Sequence, residues 1–128
     1  MGHILIIEDD ICTQTSIARL LERRGHQIHC VYDGGEGIEA LQGCSFDLAI
    51  IDMHLADMTG LEVIQYISSQ DKRLPIIGIS GGNPHQAKNM DLLKSISSMN
   101  MVETIRKPLD IQEFLEMVGQ SIEKRYHA

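Results

Sequence analysis

Acidic, basic and hydroxyl side chains stand directly at the ends of apolar, β-branched segments at four places in the sequence. Glu8 and Asp9 follow the first such segment, and Asp52 ends another. Ser80 ends the next one, and Lys107 follows the last. Three carboxylates at close range raise one another's pKa unless positive charge compensates them. These residue types therefore predict a site with a cationic partner, provided that the fold brings the segments together.

Mg²⁺ is the ion that suits such a set of carboxylates. It is a hard cation that prefers oxygen ligands and keeps several waters, which phosphate oxygens can replace. An aspartate carboxylate is also a nucleophile that forms acyl phosphates, and phosphoryl transfer depends mainly on positioning and charge neutralisation. With Lys107 as a second source of positive charge, Asp52 is predicted to accept a phosphoryl group.

The elements that must position these residues follow from the apolar pattern, which alternates strand-like runs with amphipathic segments. This alternation predicts a single doubly wound α/β domain over residues 1–128, with a five-stranded parallel sheet, helices on both faces and right-handed crossovers. Ligands of such sheets bind at the carboxyl ends of the strands, where the strand order switches. Strands are predicted at about 4–7, 26–32, 46–52, 75–80 and 102–106, and helices at about 11–24, 33–42, 59–69, 85–98 and after Asp110.

Three aspartates are placed to cap helices, since a carboxylate is favoured at a helix N-terminus. They are Asp10, Asp33 and Asp110. Apolar residues at helical spacing predict the buried face of the first and last helices. This face comprises Ile11, Ile17, Ala18, Leu20 and Leu21 in the first helix, and Ile111, Phe114, Leu115, Val118 and Ile122 in the last.

Composition excludes several classes of function. The formal net charge of −7 argues against direct binding of nucleic acid, which calls for a basic face. Three cysteines form no CxxC pair and predict reduced thiols in or near the core of a cytoplasmic protein, not a disulfide or metal centre. No segment is long enough to cross a membrane, and the N-terminal apolar run is too short for a signal peptide.

Taken together, these motifs resemble a response regulator receiver domain of two-component signalling, from Ile4 to about Lys124. The resemblance implies the flavodoxin-like, CheY-like strand order 2-1-3-4-5. The matching positions are the acidic pair Glu8 and Asp9, the phosphoacceptor Asp52, the switch hydroxyl Ser80, and Lys107-Pro108 with a cis peptide bond.

The same resemblance implies a site and a set of partners. Glu8, Asp9, Asp52 and the backbone carbonyl of His54 would bind Mg²⁺. The phosphoryl donor would be a phosphohistidine on a sensor histidine kinase or phosphotransfer protein. The domain would catalyse its own phosphorylation and slow dephosphorylation without being an enzyme for a separate substrate. It would act as a monomer or a phosphorylation-linked dimer on a downstream domain or protein that the sequence does not identify.

Several positions depart from the family pattern while the acidic site is kept. Thr104 stands where a switch aromatic is usual, and the stretch between Ser80 and Lys107 is longer than the family norm, so we expect residues 81–100 to carry the conformational response instead. The other departures are Glu8 for the commoner Asp, Ala56 for Pro, Thr59 for Asp, Gly81 for Ala and Asn100 for Gly.

Two other functions remain open. A receiver-like interaction domain that works without phosphorylation is favoured by Thr104 and disfavoured by the intact acidic site. A phosphohydrolase with an aspartate nucleophile would need an acid two residues after Asp52, where His54 stands. No output domain follows the last helix, so the chain is either a stand-alone receiver or a part of a larger regulator or hybrid kinase. Met1, just before the first strand, favours a receiver at the start of its gene.

Overall fold

The computed structural model describes residues 2–70, 73–81 and 102–127, with side chains as far as residue 125. Within these ranges no helix is both long and apolar enough to cross a membrane. The predicted helix at 85–98 lies outside the described residues. The strands are β1 (His3–Ile7), β2 (Gln27–Val31), β3 (Leu48–Asp52), β4 (Ile76–Ser80) and β5 (Val102–Arg106), and the helices are α1 (Ile11–Arg23), α2 (Gly34–Gly43), α3 (Gly60–Gln70) and α4 (Ile111–His127).

All five strands are parallel and form one sheet in the order β2-β1-β3-β4-β5. This confirms the predicted fold class and strand order. The order reverses direction between β1 and β3, which are therefore the two strands on either side of the switch point. Their register pairs Ile7 with Ile51, so the residues that follow Ile7 and Ile51 reach the same edge of the sheet.

The sheet is covered on both faces, which explains why its central strands are continuous apolar runs. One core layer packs side chains of β1, β3 and β4 against α3, and the other packs the alternate side chains of the same strands against α1 and α4. Every residue of β3 and of β4 is buried. This rigid centre carries the two strand ends on which Asp52 and Ser80 lie.

The predicted capping aspartates all act as N-caps. Asp10 accepts hydrogen bonds from Cys12 N at 3.2 Å and Thr13 Oγ1 at 2.6 Å. Asp33 accepts from the amide of Glu36 at 2.8 Å, and Asp110 accepts from the amide of Glu113 at 3.0 Å. Each cap satisfies an amide that has no partner inside its helix.

Two predicted core residues and two cysteines lie on the surface instead. Ile11 is 63% exposed and Ile111 is 55% exposed, because each is the first residue of its helix and precedes the turns that pack on the sheet. Cys12, in the first turn of α1, and Cys44, just after α2, are exposed, so the prediction of core or near-core positions was wrong for both. The third cysteine, Cys30, is half-buried, and all three thiols are free in this structure.

Candidate functional site

The carboxyl ends of β1 and β3 bring three acids together. Glu8, Asp9 and Asp52 each offer a carboxylate oxygen, and these atoms all lie within 4.8 Å of one another. The convergence follows from the register of the two strands, which places Glu8 and Asp52 one residue beyond the paired Ile7 and Ile51. The predicted acidic cluster is therefore present, although its members differ in burial. Glu8 and Asp52 are buried, while Asp9 is exposed.

Lys107, which follows β5, lies beside the cluster and is closer to Glu8 than to Asp52. Its Nζ donates a hydrogen bond to Glu8 Oε1 at 3.0 Å, whereas Asp52 Oδ2 lies 3.9 Å away. The backbone amide of Lys107 donates to the carbonyl of Ser80 at 2.8 Å, which holds the two strand ends side by side. The peptide bond to Pro108 is cis, as the resemblance implied.

Burial has a large effect on Glu8. Burial, together with the hydrogen bond and charge of the neighbouring Asp52, raises the pKa of this carboxyl to about 8, although Lys107 opposes the change. For Lys107, burial alone would lower the pKa, but the hydrogen bond to Glu8 and the charges of Asp52 and Glu8 outweigh it and leave the pKa raised. The lysine therefore stays charged while the glutamate is held close to neutrality.

The second carboxylate oxygen of Glu8 lacks a partner among the described residues, which indicates that the cluster is suited to a cation. Oε2 is buried and has no hydrogen-bond partner in the described part of the chain. An unsatisfied buried acceptor is costly, more so when it is charged. A hard cation bound among three carboxylates would satisfy this oxygen and offset the repulsion between Glu8 and Asp52. The donor set of this structure is thus suited to Mg²⁺.

The loop between β3 and α3 closes tightly beside Asp52. The amide of His54 donates to Asp52 Oδ1 at 3.0 Å, and the amide of Gly60 donates to the carbonyl of Met53 at 3.1 Å. His54 also pairs with Thr59 in an isolated antiparallel bridge. Position 60 must be glycine, because a Cβ there would lie 2.7 Å from Met53 Cα and 2.8 Å from the Asp52 carbonyl oxygen. The role of the His54 carbonyl as a metal ligand stays a prediction.

Ser80 ends β4, beside the acidic cluster, and is buried. Thr104, which stands where the family usually has an aromatic residue, lies on the neighbouring strand β5. Thr104 pairs with Gly78 on the neighbouring strand, and Met53 lies over the glycine. A Cβ at Gly78 would lie 3.0 Å from Met53 Sδ, so the thioether fills space that a side chain on β4 would otherwise occupy.

Two polar residues near the site were not identified from the sequence. The buried Gln14 donates from Nε2 to the carbonyls of Glu8, at 3.2 Å, and Val31, at 2.8 Å, and so ties the end of β1 to the end of β2. A glutamine on the apolar face of a predicted helix could have signalled this role. Asp57 bonds to the backbone of α2, and no sequence pattern indicates a partner of that kind.

Comparisons with known proteins agree with this geometry. A structure of a CheY-like receiver domain protein from Methanospirillum hungatei superposes with a TM-score of 0.86 at 23% identity, over 99% of this chain and 98% of the other. A receiver domain from Clostridium thermocellum gives a TM-score of 0.87 at 21% identity, over 98% of both chains. These likenesses establish the fold.

Sequence relatives include parts of larger signalling proteins. The chain is 31% identical, over 91% of its length, to the CAI-1 autoinducer sensor kinase/phosphatase CqsS of Vibrio cholerae, of which the match covers 17%. It is 24% identical, over 94% of its length, to the transcriptional regulatory protein FixJ of Bradyrhizobium diazoefficiens, of which it covers 57%. The chain thus spans from about a sixth to little more than half of these relatives.

The family assignment is carried by most of the chain. The sequence model of the family described as the response regulator receiver domain matches residues 4–119. That span contains the acidic cluster, the hydroxyl at the end of β4 and the lysine after β5. The protein therefore belongs to the response regulator receiver family of two-component signal transduction.

Proposed function

We propose that Asp52 is the phosphoacceptor of this receiver, and that the donor is a phosphohistidine on a sensor histidine kinase or phosphotransfer protein. The observation that carries the proposal is the convergence of Glu8, Asp9 and Asp52 within 4.8 Å, with Lys107 beside them. Sensor kinases among the relatives, such as CqsS and AruS of Pseudomonas aeruginosa, support a kinase as the partner.

In the proposed reaction a carboxylate oxygen of Asp52 attacks the phosphorus atom of the phosphohistidine. The bond between phosphorus and the imidazole nitrogen breaks, its electron pair stays on that nitrogen, and the product is an aspartyl phosphate. The amide of His54, which already donates to Asp52 Oδ1 at 3.0 Å, orients the carboxylate for this attack. Water later hydrolyses the acyl phosphate slowly, which resets the switch.

The cation and the lysine would share the work of charge neutralisation. Glu8, Asp9, Asp52 and the carbonyl of His54 would hold Mg²⁺, which supplies positive charge next to the phosphoryl oxygens when bound. Lys107 lies 3.9 Å from Asp52 Oδ2 and is near enough to contact a phosphoryl group on that side chain. It would then have to share its ammonium group between the phosphoryl oxygens and Glu8, with which it pairs in this structure.

The proposed output is a change of conformation, with catalysis confined to the domain's own phosphorylation and dephosphorylation. Ser80, buried at the end of β4, would supply the hydroxyl that responds to the phosphoryl group. Free thiols at all three cysteines are consistent with the cytoplasm, where we propose that the domain works. The downstream domain or protein would recognise the altered surface.

The test is intact mass spectrometry after incubation with a small acyl phosphate and Mg²⁺. We expect a phosphoryl adduct on the wild type that is absent from Asp52→Asn and absent when EDTA is present. Failure to form the adduct, with a phosphorylated kinase supplied as the donor as well, would overturn the proposal and favour a receiver-like interaction domain. Continuous turnover of phosphate monoesters would instead indicate a phosphohydrolase.

A further inference from the structure

The loop that follows the proposed phosphoacceptor is hydrogen-bonded to a different helix through the side chain of Asp57. Asp57 lies in the stretch between β3 and α3, and its two carboxylate oxygens accept separate hydrogen bonds. Oδ1 accepts from the amide of Gly34 and Oδ2 from the amide of Gly35, each at 2.9 Å. Both donors belong to the first turn of α2, more than twenty positions earlier in the chain.

The N-terminus of α2 is thus satisfied by two aspartates with separate tasks. Asp33, the local N-cap, takes the amide of Glu36 at 2.8 Å. Asp57 takes the two amides before it, and these backbone bonds hold the pKa of its carboxyl below the usual range. The local cap leaves the amides of Gly34 and Gly35 without a partner inside the helix, and a carboxylate from a distant loop supplies it.

Packing at the same place favours glycine. A Cβ at Gly34 would collide with Cγ and Sδ of Met58, the residue next to Asp57. The absence of a side chain at this position allows the loop and the helix to approach so closely that the helix amides reach the carboxylate. Two neighbouring loop residues, one polar and one apolar, therefore fix the loop on α2.

The other end of this loop belongs to the acidic site. The His54 amide is bonded to Asp52 Oδ1, and His54 pairs with Thr59 across the loop. Asp57 lies between these paired residues, so displacement of its side chain would loosen the tip of a loop whose base contacts the acceptor carboxylate. Leu55 and Met58 also pack on the core, and the two hydrogen bonds of Asp57 add a polar attachment of that tip to α2.

We propose that Asp57 is a positioning residue for the divalent cation. By fixing the loop on α2, it holds the backbone of His54 in the place from which its carbonyl binds the ion. This inference rests on the proposed function, because it assumes that the cation binds at Glu8, Asp9 and Asp52. Residues that orient metal ligands from outside the ligand set typically change metal affinity by about 10- to 100-fold when they are removed.

The test measures Mg²⁺ affinity on the whole chain by isothermal titration calorimetry, with the unfolding midpoint of each variant in urea recorded separately. Asp57→Ala is compared with Asp33→Ala, since each removes one carboxylate that accepts from amides at the N-terminus of α2 and one negative charge from the protein. We expect Asp57→Ala to weaken Mg²⁺ binding by about 10-fold or more and Asp33→Ala to leave it near the wild-type value, although both lower the midpoint. Asp57→Asn, which keeps one acceptor oxygen, should lie between Asp57→Ala and the wild type.

A variant that changes no charge provides a second test. Gly34→Ala forces the side chain of Met58 away from α2 while every carboxylate remains, and we expect it also to weaken Mg²⁺ binding. It serves as the main test if Asp57→Ala does not fold. Equal losses of affinity in Asp57→Ala and Asp33→Ala, or wild-type affinity in Asp57→Ala, would overturn the inference. A wild-type protein that neither binds Mg²⁺ nor accepts a phosphoryl group would instead overturn the proposed function.

Discussion

Metal-free protein should lose stability as the pH rises from mildly acidic to mildly alkaline, and Glu8 should be the cause. Burial raises the pKa of this carboxyl to about 8 from an ordinary value of 4.5. Between these two values the folded chain holds a proton that the unfolded chain has released, so the free energy of unfolding falls with rising pH. The contribution of Glu8 to the free energy of unfolding is fully present below the pKa of the unfolded chain, about 4.5, and is lost as the pH rises through the pKa of the folded chain, about 8.

The size of the effect follows from the two pKa values. Between about pH 6 and about pH 8, proton linkage at this one group lowers the free energy of unfolding by roughly 2 kcal/mol. This is a large fraction of a domain's total stability, which is typically about 5–15 kcal/mol. Lys107 opposes the shift, while the Asp52 carboxylate adds to it.

The assay is urea denaturation in the presence of EDTA at a series of pH values, with Glu8→Gln as the matched variant. Glutamine keeps the size of the side chain and cannot ionise, so the difference between the two pH profiles isolates Glu8 from all other titrating groups. Saturating Mg²⁺ should also flatten the wild-type profile, since a bound cation favours the ionised carboxylate. Parallel profiles for the wild type and the variant in EDTA would refute the reasoning.

Three further substitutions test the packing and the charges. Gly37→Ala places a methyl group against Cδ1 of Ile7. We expect overpacking to lower the free energy of unfolding by about 1–3 kcal/mol, measured by urea denaturation, and Ile7→Val to restore part of this stability. Gly60→Ala meets backbone atoms at 2.7 and 2.8 Å instead of a side-chain end, so its loss of stability should be larger and no side-chain substitution should restore it. Lys107→Met removes the ammonium group that lies 3.0 Å from Glu8. We expect it to slow phosphorylation by an acyl phosphate by roughly 100-fold, measured as the rate at which the phosphoryl adduct appears in intact mass spectra. An unchanged rate would show that the reaction does not use this charge.

Most of the fold was predictable because its central strands are buried on both faces. The apolar run that ends at Asp52 can be read as a central parallel strand without any tertiary information, and the strand at 102–106 was predicted at the bounds that the structure gives. The convergence of Glu8 and Asp52 then follows, since the carboxyl ends of parallel strands share one edge of the sheet. The residue types that do chemistry were thus identified together with the place where they meet.

Details that depend on exposure or on backbone partners were not predictable. Ile11 continues the apolar spacing of α1, yet it precedes the turns that reach the sheet, so helical periodicity alone assigned it to the wrong environment. Asp57 bonds to backbone amides of Gly34 and Gly35. Since a backbone amide is present at nearly every residue, the sequence does not mark which one a carboxylate will choose.

Lys107 pairs unevenly with the two buried acids of the site. Glutamate in place of the commoner aspartate adds one methylene at position 8, and its buried carboxylate accepts the lysine at 3.0 Å while Asp52 remains at 3.9 Å. Compensation is incomplete, because Oε2 of Glu8 has no hydrogen-bond partner among the described residues. Since binding to the folded state stabilises it, the free energy that this acidic cluster withholds from the metal-free fold is regained when a cation binds. Mg²⁺ binding should therefore stabilise the fold by compensating the negative charge of this cluster.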